Sequence, residues 1–401
     1  MKGSPGFIGE RLRQAREARG LTAISLAELL GISRQAVSLY ETGTVTPQPD
    51  ILFQIADKLH LPVSFFLTAI NKTNTKPVFF RSLSAAAKID RGRGDTKLEW
   101  LMGLVLPYLR RMISFPEVNI PPSISQDVMS ISQHDIEEIA ANTRRYWGLG
   151  DGPISNIVLL LENNGVIVVR TNLSSPALDA FSTWNTIDNT PYVILGSDKG
   201  SPTRSRFDAA HELGHLILHR NIDKAKLNNT HLFKLIEQQA NHFASAFLVP
   251  PEALAEDYII PTLDALLILK ERWRVSVGML IMRITNLGFI TEEHEKRLWI
   301  NYNRRGWKKS EPREDRVPIE NPVLLERACR LIIEENVKTT QNILDEIPLS
   351  PSDIEELMNL EDGFLKPSQP VLSLRNVHLA SAAEYKDAIE EVENILHNPD
   401  G

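Results

Sequence analysis

The stretch R-F-D-A-A-H-E-L-G-H-L-I-L-H, residues 206–219, constrains the fold most tightly, because it sets histidines and acids inside an apolar run. Phe207, Ala210, Leu213, Leu216, Ile217 and Leu218 recur at helical spacing, which predicts a helix of about four turns over Thr203–Arg220 with one face in a core. His211 and His215 are four apart, so they stand one turn apart and roughly 40° round that helix, and both imidazoles reach one point. Glu212 falls beside that point but too far round to bind there itself. His219 lies about two turns past His211, too far along an α-helix to share it.

Two imidazoles and a carboxylate in the order H-E-x-x-H form the zinc hydrolase arrangement, with His211 and His215 as ligands and Glu212 as the general base. The ion then needs a third protein ligand. The metzincin route requires a glycine where Leu218 stands and a histidine where Asn221 stands, so it is closed. The better candidate is Glu237, in L-I-E-Q-Q-A-N-H-F-A-S-A-F-L-V-P. There Phe233, Ile236, Ala240, Phe243, Ala244 and Phe247 form a buried stripe, and small Ala240, Ala244 and Ala246 permit a close approach to the first helix. A His₂Glu set favours zinc, and manganese or iron would also accept it. His242 competes with Glu237 as a ligand but sits five residues on, on another face. His242 and Tyr258 are the candidates for an oxyanion donor besides the metal. The run Tyr192–Leu195 is expected to be an edge strand able to pair with an extended substrate backbone.

The remaining bounds are broad. A chain of 401 residues is long enough for two to three cores, and no run approaches the roughly 18 apolar residues of a membrane span. The start, M-K-G-S-P-G-F-I-G-E, lacks the apolar core of a signal peptide, so a cytoplasmic location is expected. Cys329 is the single cysteine, which leaves histidines and carboxylates as the available metal ligands. A net charge of −7 gives no global attraction to nucleic acid, so any DNA contact must be local.

Such a contact is suggested near the start of the chain. Five short helices are predicted within residues 1–70, around a core of Leu26, Ala27, Leu30, Ile32, Val37, Leu39, Ile51, Ile55 and Leu59. Gly31 stops one helix and Ser33 caps the next. The stretch Leu21–Gly43 resembles the helix-turn-helix of the phage-repressor (XRE/Cro) family, whose pattern L-T-x-x-x-L-A-x-x-x-G-I-S-x-x-x-x-S-x-x-E-x-G it follows. The resemblance implies that the helix from Ser33 enters the major groove of DNA, with Arg34, Gln35 and Ser38 facing bases and phosphates. The unit carries seven basic and six acidic side chains, which limits its electrostatic pull.

Residues 71–131 are expected to be a basic linker and a connecting helix over Lys97–Ile113, kinked at Pro107. From Ser132 two helices, three short β-rich runs and the two motif helices give an α+β domain over 132–302. That domain resembles the ImmA/IrrE metallopeptidases, whose hallmark, R-F-x-x-A-H-E-x-G-H followed by E-x-x-A-N-x-F-A-x-x-x-L-x-P, stands here in both halves. The resemblance implies a zinc-type peptidase that cuts a regulatory protein, often a helix-turn-helix repressor. The competing reading is a regulator whose peptidase-like domain senses a ligand or metal without cleaving. Residues 303–316 read as a charged linker, 317–366 as a small helical unit and Ser381–Leu396 as an acidic helix. The C-terminal region carries no motif, and a sensor, an autoinhibitory cover or a homodimer contact all suit it. The whole is expected to be α+β and mostly helical.

Overall fold

The computed structural model describes residues 3–70, 79–80, 88–122, 127–173, 179–198, 200–223, 226–227, 229–258 and 260–366. Five helices open it: α1 (Gly9–Ala18), α2 (Ala23–Leu30), α3 (Arg34–Glu41), α4 (Pro49–Lys58) and α5 (Val63–Leu67). Thr22 caps α2, Gly31 ends it at φ 64°, and the Ser33 hydroxyl accepts the Ala36 N–H at 3.1 Å to start α3. Leu26, Ala27, Leu30, Val37, Ile55 and Leu59 are buried, together with Leu12, Phe65 and Phe66. Ile32, Leu39 and Ile51 are only half-buried, because they lie at the margin of the stripe.

The connecting helix α6 (Lys88–Trp100) begins nine residues before the expected Lys97, within the stretch read as linker. Of the rest of that stretch, Phe79–Phe80 forms strand β1, while 71–78 and 81–87 lie outside the described residues. Around Pro107 the helix departs from regular α-winding. The five residues Leu101–Val105 wind as a π-helix and lead straight into α7 (Leu106–Leu109). A proline has no N–H to donate and its ring crowds the carbonyl four residues back, here Gly103, and a wider turn relieves that crowding.

Helix α8 (Gln133–Tyr146) starts at a capping box in which Ser132 and Asp135 satisfy each other's backbone N–H, and α9 (Ile157–Asn163) follows. Gly165 then turns at φ 79° into the sheet, and a Cβ there would meet the Glu117 carbonyl oxygen at 2.5 Å, so only glycine fits. Strands β2 (Ile167–Thr171), β3 (Ala180–Asn185) and β4 (Thr190–Gly196) join β1 in the order β1-β3-β4-β2. The expectation of an edge strand at Tyr192–Leu195 is corrected by this order. β4 pairs antiparallel with β3 and parallel with β2, so both of its hydrogen-bonding edges are spent inside the sheet.

Alternation along the strands divides the sheet into two buried faces. Val168, Ala180, Trp184, Val193 and Leu195 share one core with α8, α9, α10 (Pro202–Gly214), α11 (Thr230–Leu248), α12 (Pro251–Asp257), α13 (Leu263–Trp273), α14 (Val277–Asn286) and α15 (Glu292–Arg304). Ile167, Val169, Phe181, Tyr192 and Ile194 face the other way. They share one core with α1–α7 and with α16 (Leu324–Glu334), α17 (Thr340–Glu346) and α18 (Pro351–Met358). The boundary read at 302/303 falls inside α15.

Residues 303–316, read as a charged linker, are held to the domain through Glu311 and Glu314. Lys270 is fully buried, and its Nζ donates to Glu311 at 2.8 Å and to Glu314 at 2.5 Å. Glu311 also accepts from the Val277 and Gly278 N–H groups, at 2.8 and 3.0 Å, and so closes the start of α14. A buried cation needs such counter-charges, and that demand pins the segment. Two further carboxylates clasp the chain reciprocally. Glu320 accepts from the Ile157 N–H at the start of α9 at 2.8 Å, and Glu162 at the end of α9 accepts from the Leu324 N–H at the start of α16 at 2.9 Å. The helix expected over Ser381–Leu396 lies outside the described residues.

Candidate functional site

The motif helix does not run as one α-helix over Thr203–Arg220. α10 ends at Gly214, and His215–His219 wind as a π-helix. The wider winding brings His219 round beneath His215, with their Nδ1 atoms 2.9 Å apart. α11 lies close alongside at Gly214, where a Cβ would stand 3.1 Å from Phe243 Cδ1 and 3.3 Å from the Ala240 Cα.

This packing brings three groups together. His211 Nε2 and His215 Nε2 are 3.0 Å apart, and Glu237 on α11 puts its carboxylate oxygens 3.5 and 3.3 Å from them. Among the described residues these three form the set whose ligand atoms all lie within 4.8 Å. The far side of the His211 ring is tied down too, with Nδ1 3.0 Å from Asn241 Oδ1. That amide oxygen can only accept, so His211 Nδ1 carries the proton and Nε2 presents a lone pair toward Glu237. Bare ring nitrogen and carboxylate oxygen aimed at one point fit a divalent cation. Burial drives the His219 imidazole well below its ordinary value, so it is neutral.

Glu212 is fully buried beside His211 and stands outside the three-residue set. Its two neighbouring histidines are sealed as well, and Glu237, with a side chain 13 % exposed, is the member that meets solvent. His242 is not at this point. Its Nε2 is 2.8 Å from Glu137, which also takes both arms of the buried Arg283. Tyr258 packs its ring against Phe289, centroids 5.4 Å apart. A cavity of about 1060 Å³ adjoins the site along α10, α11 and α14, with Phe207, Asn241, His242, Met279 and Trp307 in its wall. On the first domain, Arg34, Gln35 and Ser38 are all exposed along one side of α3.

Sequence reading passed over Asn241, Gln239 and the role of Arg206. Asn241 carried a signal, since it follows Glu237 by one helical turn. Arg206 is buried, paired with Glu320 and donating to the Ile154 carbonyl at 2.7 Å, so the segment ahead of α16 reaches the motif helix. Nothing local in the sequence announces that contact.

Comparison with known proteins finds similarity to part of the chain at a time. A protein of Methanocaldococcus jannaschii that bears the name of an HTH-type transcriptional regulatory protein is 38% identical over 55 residues, which are 14% of this chain and 17% of that one. The chain thus spans less than a fifth of that relative's length. A solved Mycobacterium tuberculosis transcriptional regulator aligns over 38% of this chain and 46% of its own, at 16% identity and a TM-score of 0.28. The helix-turn-helix family HTH_3 matches residues 12–66, and the IrrE N-terminal-like domain family, Peptidase_M78, matches residues 161–285. The chain therefore joins, in one polypeptide, an XRE-type helix-turn-helix domain to an IrrE-like domain of the Peptidase_M78 family.

Proposed function

We propose that the protein is a DNA-binding regulator with a metal-dependent endopeptidase site, and that it cleaves a regulatory protein such as a helix-turn-helix repressor. The observation that carries this reading is the convergence of His211, His215 and Glu237, with Glu212 beside them, inside the segment matched by a peptidase family. His211, His215 and Glu237 would hold the ion. Zinc suits them best, and manganese or iron is compatible. When bound, a divalent ion supplies Lewis acidity toward a scissile carbonyl and its attacking water. Glu212 takes the proton of that water and returns it to the departing amine. Arg34, Gln35 and Ser38, exposed on α3, would meet base edges and phosphates.

A second reading, a metal or ligand sensor that does not cleave, draws support from the burial of His211, Glu212 and His215. The two readings part at Glu212, which is no ligand. Incubation of the purified chain with zinc or manganese and a candidate repressor should give cleavage by wild type and none by Glu212→Gln. Equal cleavage by both would refute the proposed base, and no cleavage by either, alongside specific DNA binding, would favour the sensor.

A further inference from the structure

We propose that His219 and Gln239 act as a positioning pair that fixes the ring of His215 for metal binding, an inference resting on the ligand set proposed above. The chain of hydrogen bonds has a defined direction. Gln239 Nε2 donates to the Val128 carbonyl at 2.8 Å and leans toward that of Ile131 at 3.4 Å. An amide anchored through its NH₂ presents its oxygen on the other side, and Gln239 Oε1 lies 3.0 Å from His219 Nε2. That oxygen accepts only, so His219 carries its proton on Nε2 and its Nδ1 is bare. Bare Nδ1 is 2.9 Å from His215 Nδ1, which must therefore be the donor. His215 is left with a lone pair on Nε2, on the side of His211 and Glu237.

The opposite direction would place a proton on His215 Nε2, where it would block an ion. The wiring therefore does for His215 what Asn241 does for His211, with two residues in place of one. His215, His219 and Gln239 are all buried, so water does not substitute for a missing side chain among them. The relay also ends on the backbone of residues 128–131, just ahead of α8, which makes the lead-in to the domain part of the support for the site.

The test is cobalt(II) uptake by the full chain, stripped of metal, followed by visible absorption in competition with a chelator. Thermal unfolding of each stripped variant is measured in parallel. His219→Phe removes both nitrogens and should weaken cobalt binding roughly ten- to a hundredfold, the usual effect of losing an outer-sphere partner. His219→Asn restores an acceptor near the position of Nδ1 and should recover most of that loss. Equal weakening in the two variants, or none in either, overturns the positioning role. Should the variants fail to fold, side-chain ¹⁵N spectra of the zinc-loaded wild type decide the matter. A proton on His219 Nε2 supports the relay, and a proton on Nδ1 overturns it. Wild type that takes up no cobalt overturns the ligand set itself, and this inference with it, whereas loss confined to the variants leaves the ligand set standing.

Discussion

Arg19 and Asp353, separated by 334 positions, meet in a two-pronged ion pair with Nη1–Oδ1 at 2.8 Å and Nη2–Oδ2 at 2.7 Å. Arg19 also donates Nε to the Leu59 carbonyl at 2.9 Å and lies 5.8 Å above the Trp100 ring. One side chain thus links the helix-turn-helix domain, the connecting helix and α18. From α18, Glu356 reaches on to Lys97, at 2.6 Å, and to Thr171 on β2.

The pair is sheltered enough to matter, with side-chain exposures of 22% and 7%. Asp353→Asn keeps the shape but leaves the guanidinium without its counter-charge, and should cost about 1–3 kcal/mol in urea unfolding. Backbone hydrogen exchange should quicken in α1 and α18 together. Unchanged exchange in both helices would show that the shared apolar core holds them without the pair.

Gly214→Ala tests the closeness of α10 and α11. Alanine favours a helix over glycine by about 1 kcal/mol, so the exchange would stabilise an exposed site. Here the new methyl meets the Ala240 backbone at 3.3 Å, and a helix cannot yield as a side chain can. Overpacking of this kind costs about 1–3 kcal/mol, so net destabilisation is expected, with weaker zinc binding because Glu237 sits on the displaced helix. A gain in stability at unchanged zinc affinity would mean that the two helices pack less tightly than described.

Acid should act through Glu137. Burial raises its pKa, but hydrogen bonds from Arg283 and His242 overcome this and bring the carboxyl down to about 2. A carboxyl whose folded pKa lies below its unfolded value near 4.5 contributes stability in full above that value. The contribution fades as pH falls from 4.5 toward 2. Glu137→Gln should therefore be less stable than wild type at pH 7, with the gap closing through that acid window. A gap of constant size across the window would place the effect in packing rather than charge.

How much of this was readable in advance depends on range. The cap at Ser33 follows from neighbours within one turn, and the structure places it as the local pattern predicts. The approach of His211 to His215 is local in the same sense, because helical pitch alone brings four-apart rings together. The interior place of β4 was not readable, since strand order depends on partners that a period-2 pattern does not name. The same holds for Glu320 with Arg206 and for Asp353 with Arg19, where each residue alone reads as an ordinary surface charge. The π-turn at His215–His219 lies between these cases. Its apolar pattern suits an α-helix, and only the packing of α11 against it shows where His219 points.

Metal removal offers the most direct check on the site, because the ligands come from two elements. His211 and His215 belong to the motif helix and Glu237 to α11, so an ion bound among them ties the two together in the folded state only. Zinc should raise the melting temperature and a chelator should lower it, the gain reaching about 4 kcal/mol when zinc stands at a thousand times its dissociation constant. Glu237→Gln keeps the volume but removes the anionic ligand, and should lose most of the zinc-dependent shift. Glu212→Gln should keep it, because Glu212 stands outside the ligand set while remaining the proposed base. A zinc shift abolished by Glu212→Gln and retained by Glu237→Gln would reverse the two roles, and with them the choice of which carboxylate holds the metal and which moves the proton.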